Sequence, residues 1–167
     1  MSGRTPTLHL LCGKIAAGKS TLAAELSAKT ETVLLAEDRW LAALYPGEIH
    51  DIQDYARCSA RLRDVIGEHV EALLRAGLSV VLDFPANRLD SRRWMMGIVE
   101  RAGAAHVLHY LDVPDAVCKE RLRRRNQAGD HAFQASEADF DMFTRYFQPP
   151  TAAEGFNILV HRPQSRG

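Results

Sequence analysis

Neither sign of charge prevails in this chain: 21 Lys and Arg stand against 21 Asp and Glu, a formal net charge of zero. With no net field to gather phosphate backbones or anionic lipid, a dedicated nucleic-acid binder is disfavoured. Cysteine is scarce. Cys12, Cys58 and Cys118 are odd in number, far apart and outside any CxxC or Cys/His grouping at zinc spacing. That excludes a disulfide framework and a zinc module, and sets the expectation of a reducing, cytoplasmic setting. Long apolar runs are missing as well. No apolar stretch precedes Leu8, and Leu8 to Cys12 is too short for a signal core or a membrane span, so no membrane is expected. Internal repeats, low-complexity tracts and Pro/Ser linkers are absent too, which leaves one domain over residues 1–167 as the expectation. What remains is an ordinary globular composition, 46% hydrophobic and 25% charged over 167 residues. A chain of this size buries about 68–70% of its unfolded surface, enough for a core without structural metal.

The apolar pattern alternates between two periods. Leu8 to Cys12 is a nearly continuous apolar run ended by Gly13, as in a strand buried on both faces. From Lys19 to about Ala28 the spacing turns helical, and 32–36 predicts a second strand ending at the acidic pair Glu37-Asp38. Leu62, Ile66, Val70, Leu73 and Leu74 predict a long amphipathic helix between Asp51 and Ala76, with Gly77 just past its end. Strands are expected over 78–82, ending in Asp83, over 106–111 and over 157–160. Helices are expected over 92–102, capped by Asp90 or Ser91 and stopped by Gly103, and over 114–126. Residues 127–154 lack a clear strand and read as an insertion. The alternation predicts an α/β fold, a five-stranded parallel sheet with helices on both faces and a ligand at the carboxyl ends of its strands.

Between the first strand and the first helix, Gly13-Lys14-Ile15-Ala16-Ala17-Gly18-Lys19-Ser20 matches GxxxxGK[ST] in full. In such a loop, successive backbone N–H groups point inward and the helix N-terminus adds its positive end, so a polyphosphate fits. Gly13, Ala16, Ala17, Gly18, Lys19, Ser20 and Thr21 are the expected nucleotide-binding residues; Lys19 reaches the β and γ phosphates and the Ser20 hydroxyl ligates Mg2+. Val80-Val81-Leu82-Asp83 has the form of a strand whose final Asp holds that magnesium ion. Asp38, at the end of the preceding strand, is placed to accept the proton of an attacking hydroxyl, unless it serves only to cap a helix from Arg39. Glu37 reads as a solvated neighbour.

Farther on, Lys119 to Asn126 carries Val117, Cys118 and Leu122 inward, with Arg121 and Arg125 together on another face. Two cations on one face repel unless an anion lies between them, and the γ-phosphoryl oxygens are such an anion. Lys119 and Arg123 are expected to face solvent. The Phe/Tyr stripe around Arg145 reads as a packed helical face.

Together, the phosphate loop, Asp38, the strand ending in Asp83 and the Arg121 to Asn126 helix resemble the small P-loop kinases of the AAA_33/zeta-toxin-like group, relatives of chloramphenicol phosphotransferase and of polynucleotide kinase domains. The resemblance covers nearly the whole chain. It implies an adenylate-kinase-like three-layer sandwich, ATP with Mg2+, and phosphoryl transfer to a hydroxyl. It matches Asp38 to the family's general base and Arg121 and Arg125 to its lid arginines. Asp83-Phe84-Pro85-Ala86-Asn87 resembles the family's Asp-Ala-Thr-Asn stretch with its middle replaced, and either Arg92 or Arg93 matches the following arginine. The segment at about 121–150, with His131, Asp139 and Pro149-Pro150, resembles the lid and the connection after it.

The expected function is therefore transfer of the γ-phosphoryl group of ATP to a small-molecule hydroxyl, of the antibiotic, nucleoside or sugar type. Trp40, Tyr45, His50 and Tyr55 follow Asp38 and are candidate walls for the acceptor; of these, Trp40 and Tyr55, with Arg93, are the residues assigned to it. Two other readings stay open: a kinase of nucleic-acid 5′ ends, and a nucleotide-dependent regulatory switch with no small acceptor. His9, His69, His106, His109 and His161 lack partners at metal spacing and read as structural.

Overall fold

The computed structural model describes residues 5–129 and 135–163; His131 lies outside them. Leu8, Leu10, Leu11 and Cys12 are fully buried, so β1 (Thr7–Cys12) runs through the middle of the molecule, as its unbroken apolar run requires. The remaining strands are β2 (Thr32–Ala36), β3 (Ser79–Pro85), β4 (Ala105–Leu111) and β5 (Ile158–His161). All pair in parallel, in the order β2-β3-β1-β4-β5. The chain builds one side of β1 first and crosses to the other after β3, so a crevice opens at the carboxyl end of β1.

The helices are α1 (Lys19–Ser27), α2 (Glu37–Leu44), α3 (Ile52–Arg75), α4 (Leu89–Ala102), α5 (Asp115–Ala128) and α6 (Glu137–Arg145), followed by one 3-10 turn at Ala152–Glu154. One face of the sheet packs on α3 and α4 through Leu62, Ile66, Val70, Leu74, Met95 and Ile98. The other receives α1 through Leu11, Ala23 and Val81. A smaller cluster lies beside the phosphate loop, where Ala17, Leu111, Val113, Cys118, Leu122, Ala135 and Phe140 join α5 and α6. Among the described residues no helix is long and apolar enough to cross a membrane.

The element order follows the alternation, with four local corrections. β3 does not stop at Asp83: its register with β1 jumps from Leu10↔Leu82 to Leu11↔Pro85, a bulge that carries the strand on to Pro85. α4 starts at Leu89 after an N-cap at Arg88, so neither Asp90 nor Ser91 caps it; Asp90 Oδ1 accepts the Ser91 N–H at 2.7 Å inside the first turn. A short helix, α2, begins at Glu37, so Asp38 belongs to its first turn rather than to a strand end or a cap. The segment read as an insertion contains α6, opened by a reciprocal cap between Ser136 and Asp139.

One buried ion pair ties α4 to the 3-10 turn before β5. Arg92 is fully buried; its guanidinium donates to both carboxylate oxygens of Glu154, at 2.6 and 3.3 Å, and to the Ala86 carbonyl at 2.9 Å. Arg92 is thus a structural residue rather than a ligand-facing one. Partial burial works to raise the Glu154 carboxyl, but hydrogen bonds from Arg92 and from Thr151 outweigh it and hold the group below its usual 4.5. The stability it contributes is present above that value and is lost as pH falls through the lowered one. Glu154→Ala leaves Arg92 buried and uncompensated, and urea denaturation at neutral pH is expected to show a loss of about 3–5 kcal/mol.

Candidate active site

The loop after β1 is shaped by two glycines and one strained alanine. A side chain at Gly13 would meet the Cβ atoms of Ala17 and Leu111, each at 3.2 Å, and Gly18 sits at φ 106°. Ala16 also takes a left-handed conformation, φ 62°, which costs an ordinary residue about 1–3 kcal/mol and is characteristic of a ligand cradle. The Ala17 N–H closes the turn on the Lys14 carbonyl at 3.1 Å. Because α1 opens on Gly18, no side chain caps it and its first turn carries no acidic residue. The amides of Lys19, Ser20 and Thr21 are therefore left for an anion.

Two side chains hold this loop from outside. Asn87 Oδ1 accepts the Gly13 N–H and Asn87 Nδ2 donates to the Gly13 carbonyl, both at 2.9 Å. The amide thus grips one peptide residue from both sides. Asn87 is in turn fixed through its own carbonyl, which accepts the Gln148 N–H at 2.8 Å. On the opposite flank Lys14 Nζ donates to the Val113 carbonyl at 3.0 Å and to Asp115 at 2.5 Å.

Lys19 turns its ammonium inward, donating to the carbonyls of Gly13 at 2.5 Å and Lys14 at 2.8 Å. Burial lowers its pKa, and the carboxylates of Asp83 and Asp38 oppose that effect. Asp83 is half-buried in β3 opposite Ala36; burial pushes its carboxyl up, Lys19 pulls it down and Asp38 adds to the rise. Asp38 is exposed in the first turn of α2, and its charge also reaches Arg125. Lys19, Asp83, Asp38 and Arg125 therefore form one electrostatic set at the carboxyl edge of the sheet.

On α5, Arg121 donates to the Ala17 carbonyl at 3.2 Å, against the phosphate loop. Arg125 has a buried Nε with no hydrogen-bond partner among the described residues, and burial lowers its pKa while Asp38 opposes the shift. Lys119 and Arg123 do not simply face solvent: they pair with Asp141, at 3.0 Å, and Glu137 of α6. Beside the loop a cavity of about 150 Å3 is lined by Ala17, Leu111, Val113, Arg121, His161 and Arg162. A larger one, about 570 Å3, opens at the amino edge of the sheet, away from this chemistry.

Glu37 is not the solvated neighbour that its place in the sequence suggests. It is 1% exposed, accepting the Tyr55 hydroxyl on one oxygen and the Ser59 hydroxyl, at 2.8 Å, on the other. Tyr55 and Ser59 are four apart on α3, so Glu37 binds the start of α2, and with it Asp38, to α3. Their i, i+4 spacing was the one available signal, and it says nothing of Glu37. Tyr55 is thus engaged through its hydroxyl, Trp40 is 38% exposed, and Arg93 is exposed on α4 and enters none of these contacts.

Burial raises the Glu37 carboxyl above its usual 4.5, against the hydrogen bonds from Tyr55 and Ser59. A carboxyl with a raised folded pKa costs stability as pH climbs from its unfolded value through the folded one. Glu37→Gln keeps the shape and removes the charge, and thermal melts from pH 4.5 to 8 are expected to show a flatter stability profile than the parent's. Asn87→Ala leaves the Gly13 N–H without its partner and the Gly13 carbonyl with Lys19 alone; a loss of about 1–3 kcal/mol is expected in denaturation, together with weaker triphosphate binding by calorimetry.

The AAA_33 family, an AAA domain, matches residues 8–150. No curated protein matches the chain. Among solved structures, a Chloroflexus aurantiacus protein provisionally assigned as a kinase superposes with a TM-score of 0.72 at 22% identity, over 96% of this chain and 87% of that one. Kti12 of Chaetomium thermophilum, solved with ADP-AlF3, gives 0.71 at 13% identity over 93% and 88% of the two chains. The APS kinase of Mycobacterium tuberculosis, in complex with AMPPNP and APS, gives 0.65 at 17% over 96% and 90%. At such identities the likeness is one of fold. The family match, by contrast, spans most of the sequence and contains the phosphate loop, Asp38, Asp83, Arg121 and Arg125, so the chain belongs to the AAA_33 family and carries the fold of the P-loop kinases.

Proposed function

We propose that this chain transfers the γ-phosphoryl group of ATP to a hydroxyl of a small-molecule acceptor of the antibiotic, nucleoside or sugar type. The observation that carries the reading is the uncapped start of α1, whose first amides open beside the inward Lys19 ammonium, with Asp83 and Asp38 near enough to act on its charge. A phosphate-binding protein needs the cradle and the lysine; an exposed carboxylate in the first turn of α2 adds nothing to anion binding, but it can deprotonate an acceptor. The family and fold support the nucleotide half of the proposal.

In this assignment the open amides of Lys19, Ser20 and Thr21 hold the β and γ phosphates within the loop of Gly13, Ala16, Ala17 and Gly18, and Lys19 neutralises them. The base enters the cavity of about 150 Å3 beside Ala17 and Arg121. The donors next to the loop are oxygens, Ser20 Oγ and the Asp83 carboxylate, and among the described residues no three His, Cys, Asp or Glu converge as a metal cage. That set suits Mg2+, which favours a few carboxylate or hydroxyl ligands together with water and phosphate oxygens. Held by Ser20 and Asp83, the ion would offset the charge of the phosphate oxygens. Asp38 takes the proton of the acceptor hydroxyl as that oxygen bonds to phosphorus; the bond from phosphorus to the β-side oxygen breaks and ADP leaves with the electron pair. Arg125 and Arg121 face the charge that gathers on the transferred group. Trp40 and the ring of Tyr55 wall the acceptor, and Arg93 is left out.

The test follows ADP formation with Mg2+ across aminoglycosides, nucleosides, sugars and nucleotide sugars. One class is expected to stimulate turnover, and Asp38→Asn is expected to lower the stimulated rate by about 10²–10⁴-fold, the worth of a general base, with little change in nucleotide affinity. Slow hydrolysis that no acceptor stimulates and Asp38→Asn leaves alone would instead identify a nucleotide switch.

A further inference from the structure

Three histidines from three strands, distant in sequence, form a hydrogen-bonded ladder across the sheet. His9 Nδ1 of β1 lies 3.0 Å from His109 Nε2 of β4, and His109 Nδ1 lies 2.9 Å from His161 Nε2 of β5. The rings meet edge to edge, with centroids 5.3 and 5.2 Å apart and planes inclined by 27° and 33°, and His109 is 3% exposed. The ladder runs between the two cavities. His9 lines the one at the amino edge of the sheet, with Thr7, Lys29, Glu31 and Ser79; His161 lines the one beside the phosphate loop, with Ala17 and Arg121.

Counting hydrogens gives the ladder its logic. Each of the two contacts holds one N–H against one lone pair. Three neutral imidazoles carry three such hydrogens, so after the contacts take two, only one outer nitrogen is protonated: His9 Nε2 or His161 Nδ1, never both. One added proton makes both outer nitrogens donors with the contacts intact; a second would set N–H against N–H and break the ladder. The second state is remote, since burial, the flanking imidazoles and Lys29 push His109 down to about 4. Burial and Lys29 lower His9 as well. The charged groups around the ladder are Lys29 and Glu31 at one end and Arg121 and Arg162 at the other, Arg162 being paired with Asp112 at 3.3 Å. Of these, Lys29 is the charge that acts on His9 and His109, and it favours a bare lone pair on His9 Nε2. The hydrogens then all point one way along the ladder, and His161 Nδ1 carries the third.

We infer that His9 and His109 are positioning residues that act through His161, fixing its Nδ1 as a hydrogen-bond donor to the nucleotide base in the cavity of about 150 Å3. The inference rests on the nucleotide reading above and adds to it a residue that touches the base, with two that set its tautomer. An isolated histidine at that position would present donor and acceptor forms in turn. The ladder holds one, and so favours a base that presents a ring nitrogen or a carbonyl there.

The decisive experiment uses the unaltered protein with 15N-labelled histidine side chains. Titration with ATP is expected to shift the ring nitrogens of His161, His109 and His9 together, whereas inorganic tripolyphosphate, which has no base, is expected to bind without moving them. His109→Phe, which keeps a ring but cuts the ladder, is expected to raise the KM for ATP about fivefold, the worth of one hydrogen bond, with a smaller change in kcat and an unaltered inhibition constant for tripolyphosphate. If ATP binds and the His9 and His109 nitrogens stay still, or if His109→Phe weakens tripolyphosphate as much as ATP, the ladder is only structural and the inference is overturned. If neither ATP nor tripolyphosphate binds, the nucleotide reading itself has failed and the inference falls with it.

Discussion

The part-buried ammonium of Lys19 sets the terms for everything around it. A cation drawn out of water must be surrounded by oxygen, and the loop supplies the carbonyls of Gly13 and Lys14 while Asp83 and Asp38 supply charge. To bring those carbonyls round, the backbone needs the tight turn that Gly13 and Gly18 permit and that Ala16 adopts under strain. To bring the carboxylates near, β3 must bulge at Asp83 and α2 must begin immediately after β2. Supporting contacts then hold these pieces still: Asn87 on Gly13, Lys14 on Asp115, and Glu37 between α2 and α3.

Much of this was legible in the sequence because it depends on local pattern. Leu8 to Cys12 reads as a strand buried on both faces, and it is the central strand of the sheet; the stripe from Leu62 to Leu74 is the buried face of α3. The phosphate loop is a contiguous motif flanked by the elements it requires, and Asp38 and Asp83 lie next to it because parallel strands gather their carboxyl ends. Cys118 and Leu122 point inward on α5 as their spacing indicates.

What escaped was decided by distant partners. Glu37 looks like a surface acid until Tyr55 and Ser59, 18 and 22 residues on, fold over it. Arg92 and Arg93 cannot be told apart in sequence; the structure separates them because Glu154, 62 residues away, takes Arg92 into the interior. The histidine ladder joins positions 100 and 52 residues apart, and no spacing rule for metal ligands applies to rings that bond to one another. The start of α4 failed for another reason. Asp90 and Ser91 are good capping residues by type, yet the backbone enters the helix one turn earlier, and Asp90 bonds its own neighbour.

The division of the apolar interior has a thermodynamic corollary. The cluster that joins α5 and α6 to the phosphate loop is separate from the larger one between the sheet and α3 and α4, and it holds only a handful of side chains. The ion pairs that reinforce it, Lys119 with Asp141 and Arg123 with Glu137, lie at the surface, where each is worth about 0–1 kcal/mol. Sub-global opening of this unit therefore costs a small share of the free energy of complete unfolding, and its amides should exchange with solvent well before those of β1.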